Sequence, residues 1–437
     1  MSEKPTEDSY LMEAVQEVFR TRGPRHHFFG YYDKSPFDAD GRRILCHTVD
    51  FNGRMVEEKD KAEIGVWDIQ TGEYGKVAET SSFNWQQGSM LQWMPPDYSQ
   101  RIIYNDFVDG EYRAVIVDLA TGERRLMPTT IYSFASNGKY AVTPNFRRLY
   151  FCRQGYCYPN ICDPKWDKKV PGGDGIHLVD LEKGEERLII TTRQIVDNEH
   201  LASMDEGDNY LEHMMFNPSA DRFVFMHRWR IADGGIATRL YSAGYQGDNI
   251  HLFQDSLSYG HGCWTSDREY LIFGRMVGGF SKMRHYRGAL RFMVRTALRL
   301  NRALPHTKTL TRIHNKVAAN AFLLLRDGIR EATMIDQRQL WDDGHCSVRS
   351  GNPNHVLLDT YPDTNCRQKL MVYDMSRKAV VELADLFCPK EYHAKGYRCD
   401  LHPRWDRTGA RVCVDSLQDG TRQMYVYDVA KALRKQD

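Results

Sequence analysis

Four histidines stand at the same place in a phrase that recurs along the chain. In each copy the histidine is the polar residue that begins the phrase. It is followed by an aromatic or apolar pair, a turn rich in Pro, Asp or Gly, and a strand-like run. These histidines are His213, His261, His345 and His402. A single histidine of this kind is ordinarily a hydrogen-bonded structural residue. Because these four histidines occupy equivalent positions in the repeat, we favour a functional role for them as a set. Imidazoles gathered around one axis form a metal or proton-transfer site.

An aspartate and several arginines accompany these histidines. Asp400 lies two residues before His402, and residues i and i+2 of a strand share one face. Imidazole with carboxylate suits a borderline divalent cation such as Mn²⁺ or Zn²⁺. The arginines on or beside the phrases are Arg230, Arg239, Arg349, Arg398 and Arg404. Guanidinium groups bind carboxylates in bidentate fashion, which favours an anionic substrate, although any one arginine is more often a surface or cross-strand partner.

A second repeated phrase indicates how these side chains are positioned. GVWDIQTGE at residues 65–73 returns as VIVDLATGE at 115–123 and HLVDLEKGE at 177–185, with looser copies at 371–375 and 425–429. Each copy is an apolar strand that ends in an aspartate and a turn. Together the phrases define seven units that begin near residues 26, 82, 130, 200, 258, 343 and 397. This spacing is typical of four-stranded propeller blades, so we predict an all-β, seven-bladed β-propeller in which the four histidines point into one pocket.

Composition narrows the class of protein. The 437 residues include 59 Lys+Arg and 58 Asp+Glu, and 41% are hydrophobic, which excludes wholesale disorder. No run of about 18 apolar residues occurs, and the N-terminus lacks the features of a secretion signal. We therefore expect a cytoplasmic protein. We expect residues 1–25 to form an N-terminal extension and residues 26–437 the propeller.

Several of these phrases resemble those of the oligogalacturonate lyases. HFFGYYDK at residues 27–34, followed by DGRRIL at 40–45, resembles the opening blade of that family. HMMFNP at 213–218 with FMH at 225–227 resembles the fourth blade, and HGCW at 261–264 the fifth. DLHP at 400–403, continuing to SLQDG at 416–420, resembles the metal-binding phrase of the last blade. The resemblance extends over most of the chain in the order and spacing of the seven units, but few residues between the phrases match.

The resemblance implies a metal-assisted β-elimination on a uronic-acid-containing glycan. A cation, with Mn²⁺ favoured, and an arginine would neutralise the substrate carboxylate, and a histidine would remove the C5 proton. The residues implied for catalysis are His213, Arg239 and His227, and those implied for the metal are His261, Asp400 and His402. Those implied for substrate binding are His27, Tyr32, Lys34, His345, Arg349, Arg398 and Tyr397. Asp400 replaces a histidine of the family, and Tyr397 replaces a glutamine.

One segment does not fit a propeller. Residues 281–316 contain ten Lys/Arg and no acidic residue, and Arg287, Arg291, Arg295 and Arg299 recur every four positions. This pattern predicts a basic amphipathic helix inserted in the fifth blade. Such a helix lies on an anionic membrane surface, docks on the propeller as a lid, or binds a polyanion. No nucleic-acid motif accompanies it, so we do not expect nucleic acid as a partner.

Two functions of different classes follow from these observations. The first is a metal-dependent lyase acting on an anionic oligosaccharide. The alternative is a non-catalytic propeller that binds a glycan or protein, associated with the inner face of the membrane in surface-polysaccharide assembly. The fold by itself does not choose between them, because propellers host both roles.

Overall fold

The computed structural model describes residues 15–231, 234–277, 308–393 and 396–434. The chain divides into two compact units. One consists of Met1–Thr130, Gly155–Asn160 and Gly344–Asp437, and the other of Ile131–Gln154 and Ile161–Asp343. Among the described residues, no helix has the length and apolar character needed to cross a lipid bilayer.

The first unit contains four antiparallel sheets of four strands, here called the first, second, sixth and seventh sheets in chain order. The first sheet comprises β2 His26–Phe28, β3 Arg43–Val49, β4 Ala62–Asp68 and β5 Tyr74–Thr80. The second comprises β6 Gln92–Trp93, β7 Arg101–Val108, β8 Glu111–Asp118 and β9 Arg124–Leu126. The sixth comprises β22 Cys346–Arg349, β23 Asn352–Asp359, β24 Arg367–Asp374 and β25 Ala379–Phe387. The seventh comprises β26 Arg404–Trp405, β27 Arg411–Ser416, β28 Gln423–Asp428 and β1 Gln16–Arg20.

The second unit contains the third, fourth and fifth sheets, each again of four antiparallel strands. The third comprises β10 Ser133–Phe134, β11 Tyr140–Thr143, β12 Gly175–Asp180 and β13 Glu185–Thr191. The fourth comprises β14 Asn209–Phe216, β15 Arg222–Arg230, β16 Ile236–Gly244 and β17 His251–Leu252. The fifth comprises β18 Tyr259–Trp264, β19 Glu269–Arg275, β20 Asn320–Arg326 and β21 Ala332–Ile335.

Helices in the described part of the chain are short. They are α1 Phe146–Cys152, α2 Thr192–Asp197, α3 Ala202–Glu206, α4 Lys308–Val317 and α5 Ala430–Arg434, with a 3₁₀ turn at Lys390–Tyr392. The predicted all-β, seven-bladed propeller is confirmed by the seven four-stranded sheets. Of the predicted insert at 281–316, residues 281–307 lie outside the described residues, and α4 covers all of the remainder.

The recurring aspartate closes a turn after the third strand of a sheet. The carboxylate of Asp68 accepts hydrogen bonds from the backbone N–H groups of Gln70 and Thr71, at 2.9 and 3.1 Å. Gly72 then adopts a φ of +73°, which a residue with a Cβ adopts only with strain. Asp118 makes the same two bonds in the second sheet, which explains why the phrase repeats.

Apolar side chains of neighbouring sheets form the core within each unit. In the first unit Ile44, Ile102 and Val426 bring together the first, second and seventh sheets in one buried cluster. In the second unit Val224 and Ile272 do the same for the fourth and fifth sheets. Each such side chain contributes about 1.5–3 kcal/mol through removal from water, so packing between sheets is a main source of stability.

The N-terminus takes part in the seventh sheet. We expected residues 1–25 to be an extension, but β1 pairs antiparallel with β28, with Gln16 opposite Asp428 and Arg20 opposite Tyr425. The backbone N–H of Thr21 continues the pairing by donating to the carbonyl of Met424 at 3.0 Å. The seventh sheet therefore combines three strands from the end of the sequence with one from its beginning.

Candidate functional site

Three predicted residues of the first unit form a buried group of metal-ligand type. His345 directly precedes β22, and Asp400 and His402 precede β26. One potential ligand atom from each lies within 4.8 Å of the others, and the three side chains are 1%, 3% and 1% exposed. Two imidazoles and a carboxylate form a donor set that suits Mn²⁺ or Zn²⁺, so the residues present fit a divalent cation. We call this set the His345 cluster.

The His345 cluster holds its histidine rings close together. The ring centroids of His345 and His402 are 4.3 Å apart and the rings are nearly perpendicular. The Nε2 atom of His402 lies 3.9 Å from Oδ2 of Asp400. His402 has a φ of +44°, so Asp400 and His402 are brought together by an irregular turn ahead of β26, rather than by the strand geometry that we assumed from their spacing.

Arg398 pairs with the carboxylate of this cluster. Its Nε donates to Oδ2 of Asp400 at 2.6 Å, and its Nη2 donates to the hydroxyl of Tyr156 at 3.0 Å. Burial by itself lowers the pKa of the guanidinium, but Tyr156 and Asp400 raise that pKa well above its usual value. Arg398 therefore stays positively charged while one fifth of its side chain remains exposed.

Three tyrosines lie beside the two histidines, and a fourth packs against one of these tyrosines. The ring of Tyr32 lies 5.1 Å from that of His345, and the ring of Tyr31 lies 5.3 Å from that of His402. The ring centroids of Tyr361 and His345 are 5.8 Å apart. Tyr156 packs edge-on against Tyr31, with a centroid distance of 6.2 Å. Tyr32 was predicted as a substrate-binding residue, whereas Tyr31, Tyr156 and Tyr361 received no role. These rings shield the cluster from water and give it an aromatic wall.

The remaining substrate-binding candidates of the first unit make other contacts. His27 bonds through Nδ1 to Oε1 of Gln423 at 2.9 Å, and Lys34 forms a buried ion pair with Asp33 at 2.8 Å. Arg349 donates to the carbonyl of Gly409 at 2.8 Å and lies over the ring of Trp405. The carbonyl of Tyr397 accepts from Arg422 at 2.8 Å. Their roles in substrate binding stay predictions.

His213 and its neighbours form a charged group in the second unit. His213 has a φ of +54° at a bulge in β14, and its Nδ1 lies 3.4 Å from Oε1 of Glu212. Arg228 and Arg153 approach the same oxygen, at 3.0 and 3.5 Å. Burial lowers the pKa of His213 to about 4, and the two arginines oppose the effect of Glu212. The imidazole is therefore neutral at neutral pH, as a proton acceptor must be.

The other predicted residues of the second unit have closely fixed partners. Oδ1 of Asn209 lies 2.9 Å from Nε2 of His227, and burial lowers the pKa of that ring to about 3. Arg239 forms a two-point ion pair with Asp255, at 2.8 Å for each bond. The first contact joins β14 to β15 and the second joins β16 to the loop after β17, and the catalytic roles stay predictions.

His261, a predicted metal ligand, has a carboxylate partner of its own. It lies in the second unit, where its Nδ1 is 3.2 Å from Oδ2 of Asp343. We predicted His261 as a metal ligand and His345 as a substrate-binding residue, whereas the structure groups His345 with Asp400 and His402. That His213, His261, His345 and His402 share one pocket also stays a prediction.

Sequence reasoning also missed Asp359, which contacts both histidines of the cluster. The feature that could have identified Asp359 is its position in the β22–β23 hairpin. Cys346 pairs with Leu358 there, which sets Asp359 opposite His345. The residue opposite a candidate ligand in a hairpin register is thus worth searching for in a sequence.

Comparison with solved structures supports the same fold. No family model and no curated protein matches the sequence. An oligogalacturonate lyase from Vibrio parahaemolyticus aligns with a TM-score of 0.62 at 14% identity, over 95% of this chain and 93% of that chain. An oligogalacturonate lyase in complex with manganese aligns at 0.55 and 14% identity, over 95% and 92%. The tricorn protease aligns at 0.50 and 13% identity, over 94% of this chain and 35% of that chain.

These neighbours include lyases and a protease, so the fold is shared more widely than any one activity. Both lyases match along nearly the whole of each chain. The chain is therefore a seven-bladed β-propeller of the kind seen in oligogalacturonate lyases.

Proposed function

We propose that this protein is a divalent-metal-dependent lyase that cleaves a uronic-acid-containing oligosaccharide by β-elimination. The observation that carries the proposal is the buried His345 cluster with Arg398 beside it. A solved neighbour of the same fold is an oligogalacturonate lyase in complex with manganese, which supports Mn²⁺ as the cation.

His345, Asp400 and His402 would hold the cation. A bound divalent cation supplies positive charge for a substrate carboxylate, and this charge makes the adjacent C5 proton more acidic. The protein contributes the second positive charge through Arg398, which pairs with Asp400 and keeps one fifth of its side chain exposed. Guanidinium hydrogen bonds to a carboxylate are directional, so Arg398 also orients the sugar.

We keep His213 as the base because its imidazole is neutral at neutral pH. In the elimination, a base takes the C5 proton, and the electron pair of that C–H bond becomes the second bond between C4 and C5. The C4–O bond then breaks, and the departing glycosidic oxygen takes a proton from a donor or from water. No hydrolytic water is consumed, and paired carboxylates of a glycoside hydrolase are not needed.

The test is an activity assay with the purified protein. Uronate oligosaccharides are incubated with Mn²⁺, and the ultraviolet absorbance of the unsaturated uronate product is followed. We expect activity that a chelator abolishes, and its loss in His402→Ala and in His213→Ala. His200→Ala is the control, because His200 is an exposed histidine paired with Asp205. Activity that is indifferent to the chelator and to His402→Ala contradicts the proposal.

A binding-only propeller is the alternative in the same assay. It would bind the oligosaccharide in calorimetry without producing the unsaturated product. Since the His345 cluster has the donor set of a metal site rather than a plain sugar-stacking surface, we favour the enzyme.

We further propose that the basic segment 281–316 contacts an anionic membrane surface from the cytoplasmic side. Helix α4, which contains the described end of this segment and continues to Val317, supports the proposal, because it exposes Ile313 and Val317 four residues apart, at 54% and 83%. Arg312 and Lys316 precede these apolar residues. The test is co-sedimentation with vesicles containing phosphatidylserine, compared with neutral vesicles. Equal binding to both, or none at low salt, contradicts it.

A further inference from the structure

One buried carboxylate contacts both histidines of the His345 cluster. Asp359, at the end of β23, is 4% exposed. Its Oδ1 accepts the backbone N–H of His345 at 2.7 Å, and its Oδ2 lies 2.9 Å from Nδ1 of the same residue. Its Oδ2 also accepts the backbone N–H of His402 at 3.2 Å. Asp359 therefore joins β23 to the residues that precede β22 and β26.

The contact with the ring of His345 selects a tautomer. A carboxylate accepts hydrogen bonds, so the ring nitrogen that faces it is the one that carries hydrogen. That nitrogen is Nδ1, and the lone pair of the neutral ring then lies on Nε2. Nε2 is accordingly the atom that His345 offers to a cation. A carboxylate behind a ligating imidazole fixes the orientation of the ring and increases its basicity.

The contact with His402 holds an unfavourable backbone conformation. His402 has a φ of +44°, a left-handed conformation that is strained for a residue with a Cβ. This conformation brings His402 to Asp400 within the irregular turn ahead of β26. A hydrogen bond from its N–H to a buried carboxylate opposes the strain, because charge-assisted bonds are stronger than neutral ones.

We propose that Asp359 is a positioning residue for the metal site, which fixes His345 in the Nδ1–H tautomer and holds the backbone of His402. The inference rests on the proposed function in taking the His345 cluster as a cation site. Asp359 is distinct from Asp400, since both of its oxygens face N–H groups of the two histidines.

Asp359→Asn is the decisive variant. An asparagine offers one oxygen and one NH₂ group. With its oxygen kept on the backbone N–H of His345, its NH₂ group faces both Nδ1 of His345 and the backbone N–H of His402. The simplest relief is for His345 to move its hydrogen to Nε2 and to accept from the asparagine through Nδ1. We expect Mn²⁺ affinity, measured by calorimetry on the full chain, to fall by about 10- to 100-fold.

Asp374→Asn is the matched control. Asp374 is also a buried aspartate of the sixth sheet and lies 3.6 Å from another histidine, His355. It has no contact with the His345 cluster among the bonds described for it, so this variant should leave the Mn²⁺ affinity unchanged. A comparable loss in both variants would show a general effect on folding and would overturn the inference.

Nitrogen NMR of ¹⁵N-histidine-labelled wild type tests the tautomer directly and needs no variant that must fold. We expect the resonances of His345, assigned with His345→Gln, to report hydrogen on Nδ1. Hydrogen on Nε2 overturns the inference, as does equal Mn²⁺ affinity in wild type and Asp359→Asn. Wild-type protein that binds no Mn²⁺ overturns the proposed function instead, while the NMR result still decides the placement of the hydrogen.

Discussion

His47 makes the stability of this protein sensitive to mild acid. It lies on β3, is fully buried, and has its Nε2 at 2.8 Å from the hydroxyl of Ser89. The backbone N–H of Ser89 donates to the same nitrogen at 3.1 Å. A proton on Nε2 would therefore face another donor, and burial in addition disfavours the charged ring. Together these effects agree with a pKa of about 4 for His47, lowered chiefly by burial.

The direction of the effect follows from this shift. Because the pKa of His47 is lower in the folded than in the unfolded protein, the unfolded state binds more protons below pH 6.5. Stability is present in full above pH 6.5 and is lost as the pH falls towards 4. With an unfolded pKa of 6.5 and a folded pKa of about 4, the loss at about pH 5 is on the order of 2 kcal/mol.

The measurement compares urea unfolding of wild type and His47→Gln at about pH 7.5 and about pH 5. Glutamine can still accept from Ser89 but does not titrate. We expect the variant to lose about 2 kcal/mol less than the wild type between the two pH values, whatever its stability at neutral pH. His200→Gln, at an exposed site, should lose as much as the wild type. An equal loss in His47→Gln and wild type would refute the reasoning.

Three further predictions concern single side chains. Arg404→Met leaves the carboxylate of Asp415 buried without its two-point partner, and should lower the free energy of unfolding by about 3–5 kcal/mol in urea titrations; a change below 1 kcal/mol would count against a structural ion pair. Gly175→Ala sets a Cβ against a backbone carbonyl of β13, so the melting temperature should fall, whereas Gly172→Ala, which meets nothing within 4 Å, should leave it unchanged. Arg398→Met removes the charge next to the His345 cluster, and kcat/KM for a uronate oligosaccharide should fall by about tenfold or more; an unchanged value would remove Arg398 from substrate binding.

Much of the fold could be predicted because its signals are local. Asp68 and Asp118 form their turns with residues two to four positions away, so the turn chemistry is written in consecutive residues. Strand alternation between these turns is equally local, and a repeat of similar length predicts sheets that stack side by side. The seven units located from the sequence therefore correspond to the seven sheets of the structure.

The partners of distant segments could not be read in this way. The pairing of β1 with β28 joins residues about 400 positions apart, and a short polar strand at the N-terminus carries no sign of its partner. The predicted metal set likewise paired Asp400 and His402 with His261, whereas the structure groups them with His345. Equivalent repeat positions made His261 and His345 interchangeable in the sequence, and the grouping of His345 with Asp400 and His402 is visible only in the tertiary structure.

The sequence by itself thus determined the elements and the types of donor that could serve chemistry, because both depend on residue identity and short spacing. The tertiary structure decided which donors meet. Asp359 and Arg398 acquire their importance from their contacts with the residues that precede β22 and β26, and the left-handed backbone of His402 helps to set these contacts. Such contacts depend on how sheets pack, and packing is a property of the whole chain rather than of any phrase within it.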